Sequence, residues 1–231
     1  MGKRRTALRA AWPLTVPVML GYIFLGIAYG VLLSNRGYGA GWAALTSVCI
    51  YAGSMQFVAV DLLAGGFQLA SAALLTLMVN ARHLFYGLSM LDRFKGMGGK
   101  KPYLIFSLSD ETYSLLCAAE PPAGVDRGWF FFWISLLNQG YWVLGSVAGG
   151  LLGAALPFDT TGIDFAMTAL FVVIFVEQWE KSKSHLPALT GVAVTAVCLL
   201  VARDYFIPLS LCVILLLLLA CRHRLEKEAR S

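Results

Sequence analysis

The stretch LASAALLTLMVNARHLFYGLSML, residues 69–91, decides the fold. It is apolar over a length that crosses a bilayer, since about 20 helical residues span the hydrocarbon. Yet its second half carries Asn80, Arg82 and His83. An Arg at the centre of a membrane helix costs at least about 2.5 kcal/mol, so such a group faces a protein partner, a cavity or a pathway rather than lipid. The segment predicts a membrane protein that handles something polar in its interior.

The rest of the chain agrees. Of its 231 residues 58% are hydrophobic and 13% charged, and the mean hydropathy is +0.72, outside the balance of a soluble domain. Apolar runs cover residues 11–33, 42–64, 67–91, 103–119, 129–156, 165–179, 186–202 and 208–221. The expected fold is all-α and polytopic, a single transmembrane domain over residues 1–231. Trp12, Trp42, Trp129 and Trp179 stand at run ends, where indole rings sit at headgroup level.

Several other classes are excluded. The net charge of +5 comes from short loop clusters rather than one basic face, which argues for topology signals and against nucleic-acid binding. Cys49, Cys117, Cys198, Cys212 and Cys221 show no CxxC spacing, so neither a zinc site nor a disulfide framework is indicated, and they read as packing residues. Lys3, Arg4 and Arg5 precede an apolar run too long for a signal peptide, and it is read as a retained first helix. Gly2 and Thr6 match a myristoylation pattern that a multi-span protein does not need. The glycines and lysines of residues 96–101 fail the phosphate-loop pattern, because no Ser or Thr follows.

Charge sets the topology. Basic clusters at residues 3–9, 93–101, 181–185 and 222–230 mark cytoplasmic loops, and the acidic loop 157–164 faces outward. Eight full crossings would put the 93–101 loop on the wrong side. The economical arrangement has about six spanning helices plus two broken or re-entrant segments, 42–64 entering from outside and 103–119 from inside. Both carry a polar interruption: Gly53, Ser54 and Gln56 in the first, Asp110 and Glu111 in the second. Broken backbone at that depth is tolerated only where protein or water supplies hydrogen-bond partners, and paired discontinuous segments mark transporter sites. The alternative is seven or eight ordinary crossings. Gly26 and Gly30, and Gly145, Gly149 and Gly153, recur every fourth residue and predict close helix packing. Pro13 and Pro17 are expected in the first turns of their helix.

The chemistry gathers at the same places. A helix restarting after Gly53 aims free N–H groups inward, a seat for a carboxylate; otherwise Gly53 and Ser54 form a packing notch. Asn80 and His83 share one helical face, and Arg82 and Tyr86 the neighbouring one. Arg82 either binds a substrate carboxylate or only pairs with Asp110 or Glu111. His83, whose side chain titrates near about 6.5 when unperturbed, suits proton coupling or an interhelical hydrogen bond. Ser107, Asp110, Glu111 and Ser114 line one side if residues 103–119 are helical. Two adjacent carboxylates in a low dielectric require a neutralising cation: Arg82, a substrate ammonium or a proton. Asn138, Gln139, Tyr141, Glu177 and Gln178 are weaker candidates.

At YAGSMQF (51–57), VNARHLFYGLSM (79–90) and KKPYLIFSLSDETYSL (100–115), and in the first run through Pro13, Pro17 and Gly21, the sequence resembles the AzlC family of branched-chain amino acid permeases. The resemblance implies the larger subunit of a two-protein exporter of valine, leucine and isoleucine, with methionine in some members. It also implies a small AzlD-type membrane partner and a place in the bacterial or archaeal cytoplasmic membrane. The residues fit that cargo. A zwitterion with an aliphatic side chain needs an anion seat, which Gly53, Ser54 and Arg82 supply, and a cation partner in Asp110 or Glu111. It also needs an apolar pocket, for which Met55, Phe57 and Phe85 are candidates. With no ATP motif, the proton gradient is the expected energy source, carried by His83, Asp110 or Glu111. No cofactor or metal is expected. The competing classes are a channel for small polar solutes and an intramembrane hydrolase built on Ser54 and His83, for which no nucleophile signature is present.

Overall fold

From Lys3 onward the chain winds into one helix of 33 residues, α1 (Lys3–Asn35), in spite of Pro13, Pro17 and the glycines at 21, 26 and 30. The computed structural model describes residues 2–65, 69–155, 164–181, 185–203 and 206–221. After α1 come α2 (Ala40–Cys49), α3 (Gly53–Gly65), α4 (Leu69–Ser89), α5 (Lys101–Phe106), α6 (Asp110–Ala118) and α7 (Arg127–Ala155). Then follow α8 (Asp164–Lys181), α9 (Leu186–Val201) and α10 (Phe206–Ala220), with no strand among the described residues. The chain is all-α. By length and hydropathy, one described helix, α1, is able to cross a membrane. Because α1 starts at Lys3, Pro13 and Pro17 lie inside it rather than in its first turns, a correction to the sequence reading: the basic residues upstream of the apolar run are helical too.

Two compact units divide the chain, Met1–Met167 and Thr168–Ser231. In the second, α9 and α10 flank an open apolar groove of about 370 Å³ lined by Val194, Val197, Cys198, Leu209 and Val213. The first unit is organised around α1 and α7. Gly26 meets Ser146, Gly30 meets Gly150, and Ser34 meets Gly153, so the two helices run parallel with their backbones in contact. A Cβ on Gly30 would lie 2.1 Å from the Ser146 carbonyl oxygen, and one on Gly149 would lie 2.1 Å from that of Ile27. The four-residue glycine spacing thus does what it predicts: it removes every side chain that would hold the backbones apart.

Both basic clusters that fall within the described residues sit where α1 and α7 begin. Arg4 and Lys100 lie over the same Trp129 ring, at 4.4 and 4.5 Å, and the Trp133 indole N–H donates to the Arg4 carbonyl at 3.0 Å. Residues 3–9 and 93–101 therefore share an end of the bundle. Residues 157–163 and 222–230, and most of the 181–185 cluster, lie outside the described residues.

The two interrupted segments are hairpins that enter from opposite ends. Helix α2 starts against Gly150 and descends along α7 until Gln139 Nε2 donates to the Val48 carbonyl at 3.2 Å. The chain breaks, and α3 returns to the end it came from. There Arg36 pairs with Asp61 at 3.1 Å and Tyr38 donates to the Leu63 carbonyl. Helix α5 starts at the other end, beside Trp129, and rises until Tyr103 donates to Gln139 Oε1 at 2.8 Å. After its own break α6 runs back, and Leu116 and Ala119 join Met90, Phe94, Phe130 and Phe131 in the core of that end. A second core, around Tyr29, Phe57, Val60 and Trp142, fills the space by the first hairpin. The cysteines do not all pack as expected: Cys198 is buried, while Cys49, Cys117 and Cys212 are exposed.

Gly149→Ala is expected to lower the thermal midpoint of the detergent-purified protein, costing at least about 2 kcal/mol, because the clash is with backbone. Gly140→Ala, on the same helix with open space within 4 Å of its Cβ, should leave the midpoint unchanged. Equal melting of the two variants would refute the seam.

Candidate functional site

The first break occupies residues 50–52. Tyr51 holds φ of 45°, a left-handed conformation that a bulky residue adopts only when its surroundings impose it. The helix restarts at Gly53, where a Cβ would press on the Trp142 ring at 3.2 Å. The second break occupies residues 107–109. Ser109 is extended and caps α6, its Oγ accepting from the Thr112 amide at 3.1 Å. Asp110 and Glu111 follow in the first turn, where negative charge is favoured by the helix dipole. Each break thus exposes a helix N-terminus, and both lie beside the middle of α7: Gly53 at Trp142, Thr112 at Asn138.

Arg82, on α4, joins the two hairpins. Its Nη2 donates to Ser54 Oγ at 2.8 Å, and its Nη1 pairs with Asp110 Oδ2 at 2.8 Å. The other Asp110 oxygen accepts from Tyr86 at 2.7 Å. The pair is not sealed, since the Arg82 and Asp110 side chains keep 27% and 26% of their exposure. Glu111 takes a different partner: Tyr22 of α1 donates to its Oε2 at 2.7 Å. The Tyr22 oxygen also lies against Ser109 Oγ, Ser109 Oγ donates to Thr112 Oγ1 at 3.0 Å, and Asn138 Nδ2 donates to the same oxygen at 3.0 Å. Helix α6 is gripped at its far end as well, where Arg93 donates to the carbonyls of Leu116 and Ala119 at 2.7 Å each and to Glu120 at 2.9 Å. Between the two arginines, Tyr86 and Tyr113 stack at 4.4 Å.

Ser54, Arg82 and Asp110, singled out in three separate segments of sequence, thus meet. Gly53 and Glu111 lie beside them. Gln56 is fully buried and its amide is spent, donating to Ser47 at 3.1 Å and accepting from the Trp142 indole at 2.9 Å. Asn80 and His83 flank Arg82 on α4, but Asn80 Oδ1 and His83 Nδ1 close no hydrogen bond, and the His83 ring meets Tyr86 edge-on at 5.7 Å. The Ser54 hydroxyl is engaged by Arg82 rather than by His83, so a Ser–His pair for hydrolysis is not formed.

Two expectations are corrected. Ser107 lies in the break, so it does not share a helical face with Asp110, and Ser114 is exposed. Phe85 is 65% exposed and turns away from the cluster, while Met55 and Phe57 are buried in the core. A described apolar cavity of about 440 Å³ lies instead along the first hairpin, lined by Trp42, Leu45, Cys49, Ile50, Leu62 and Ala72. The side chains of Glu177 and Gln178 are outside the described ones. Sequence reasoning passed over Tyr22, Ser109 and Thr112. A tyrosine in the middle of the first apolar run was the available signal, and the S-D-E-T cap of residues 109–112 another.

Two broken helices joined by a partly accessible ion pair form an arrangement of the kind common in secondary transporters. The family described as AzlC protein matches residues 17–156. The chain belongs to the AzlC family. Within its reach is the "Branched-chain amino acid transport protein AzlC" of Bacillus subtilis, 49% identical over 227 residues, covering 97% of this chain and 89% of that one. A Haemophilus influenzae relative named only as a membrane protein is 43% identical, with 97% and 93% covered. The "Inner membrane protein YgaZ" of Escherichia coli is 28% identical, with 74% and 72% covered. No solved structure matches the chain. AzlC membership makes it a membrane protein of a transport family.

A double-mutant cycle on thermal stability, with Arg82→Gln, Asp110→Asn and the pair, should give a coupling of about 1–2 kcal/mol, between the limits for exposed and sealed pairs. Additive losses would mean that the contact carries no energy.

Proposed function

We propose that this protein is the large subunit of a secondary transporter that exports valine, leucine and isoleucine, and methionine with them, across the cytoplasmic membrane. The proton-motive force drives it and a small AzlD-type membrane subunit accompanies it. The name of the Bacillus subtilis relative supports the cargo class. One observation carries the reading to the residues: the Arg82–Asp110 pair, partly accessible and set between two helix N-termini.

An amino acid zwitterion bears the same two charges as that pair. Its carboxylate takes Arg82, Ser54 and the free N–H groups at Gly53, while its ammonium takes Asp110. The exchange swaps one internal ion pair for two intermolecular ones and leaves no charge uncompensated in a low dielectric. Gln56 and Asn80 stand behind this seat as supports. The two hairpins are the re-entrant segments, and about six helices span the bilayer. Both termini are cytoplasmic, in accord with the basic residues gathered where α1 and α7 begin.

Efflux of labelled valine from proteoliposomes, with and without the small subunit, tests this. Wild type should show saturation and counterflow, and net efflux should stop when the pH gradient and potential are collapsed. Arg82→Gln should lose at least tenfold in rate. Wild-type flux in that variant would reduce Arg82 to architecture.

A further inference from the structure

We propose that Glu111 is the group that carries the coupled proton, and that Tyr22 and Ser109 are the hydroxyl relay that serves it. The inference rests on the transport reading above and chooses among its ionisable groups. Asp110 and Glu111 are adjacent, yet the fold treats them differently. Asp110 has a cation at 2.8 Å and a phenol on its other oxygen; its charge is balanced, and the substrate ammonium replaces Arg82 as the balancing group. Glu111 makes no ion pair among the described residues and is met by a hydroxyl. A half-buried carboxyl with no cationic partner is neutralised by a proton and not by a side chain.

Around Glu111 the structure supplies a route. Tyr22 touches both Glu111 and Ser109, Ser109 donates to Thr112, and Asn138 donates to the same Thr112 oxygen. Hydroxyls both donate and accept, so a proton is passed along such a chain by reorienting each O–H in turn. Beside the chain lie groups without a well-formed hydrogen bond: Asn138 Oδ1, on a fully buried side chain, and the Tyr51 hydroxyl, also buried and next to Tyr22 and Thr112. Tyr51 lies within electrostatic reach of Glu111 and sits at the strained turn of the first break. The open valences thus lie at the junction of the two hairpins, where a change in either one remakes the chain. Of the other ionisable groups nearby, Arg82 and Tyr86 on α4 bind Asp110, His83 packs edge-on against Tyr86, and Tyr103 of α5 lies near Tyr51.

The step is a plain proton transfer. A hydronium ion on the outer side gives up a proton, one of its O–H bonds breaking to leave water; through the hydroxyls of Ser109 and Tyr22 an O–H bond forms on the Glu111 carboxylate, and after the site reopens inward that bond breaks and a cytoplasmic water takes the proton as hydronium. The amino acid moves the opposite way.

The test uses the full chain with its small subunit in proteoliposomes and compares two fluxes, valine exchange at equal pH and net valine efflux driven by an imposed pH gradient. Glu111→Gln, which resembles the protonated carboxyl, should keep exchange within about twofold while losing at least tenfold of gradient-driven efflux. It should also lose proton uptake, read with an entrapped pH-sensitive dye. Tyr22→Phe should slow the driven flux several-fold and spare exchange. Gradient-driven efflux in Glu111→Gln, equal loss of both fluxes in a variant that melts like wild type, or an unaffected Tyr22→Phe would each overturn the proposal. Wild-type protein that exchanges valine but ignores the gradient would overturn it and leave the transport reading standing. Wild-type protein that moves no valine would overturn both.

Discussion

Where two helices touch through their backbones, no side chain fits between them, and every side chain near the contact is thrown to the flanks. That is the situation of α1 and α7 along Gly26, Gly30, Gly145 and Gly149. In hydrocarbon, where apolar burial distinguishes little between protein and lipid, such close approach is the available source of cohesion. The polar residues that matter project from its flanks: Tyr22 and Tyr29 from α1, and Asn138, Gln139 and Trp142 from α7. Gln139 accepts from one hairpin and donates to the other, so a single amide sets the level at which both interruptions stop.

An interrupted helix inside a membrane must find partners for its freed backbone groups. The two interruptions solve this differently. The second uses a side-chain cap, Ser109, and two acids in its first turn. The first relies on a left-handed Tyr51 and on tight contact between Gly53 and Trp142. The result is two helix starts near one guanidinium, and two neighbouring carboxyls with unlike surroundings. A zwitterion and a proton are ligands of those two kinds.

Much of this was legible in the sequence because membrane chains punish polar residues unless they are used. Arg82, Asp110 and Ser54 stood out for that reason, and the four-residue glycine spacing and the charge of the 93–101 loop foretold the seam and the opposed hairpins. What stayed hidden depends on distances between segments. Nothing local to Tyr22 tells that it reaches Glu111, 89 positions away. Phe85 lies near Arg82 in sequence but faces outward on its helix, a matter of rotation about α4 that a weakly patterned apolar run does not encode. Gln56 looked like a ligand contact because any buried amide needs partners; here Ser47 and Trp142 are those partners.

Helix α6 is nine residues long, and α4 holds it at both extremities: Arg82 at its first turn, Arg93 just beyond α4 at its last carbonyls, with stacked tyrosines midway. A segment fastened at three points along one neighbour has no freedom to tilt or slide by itself. Any displacement of α4 therefore reaches the tip that bears Asp110 and Glu111, and the bonds of Tyr22 to Glu111 and of Asn138 to Thr112 pass it on to α1 and α7.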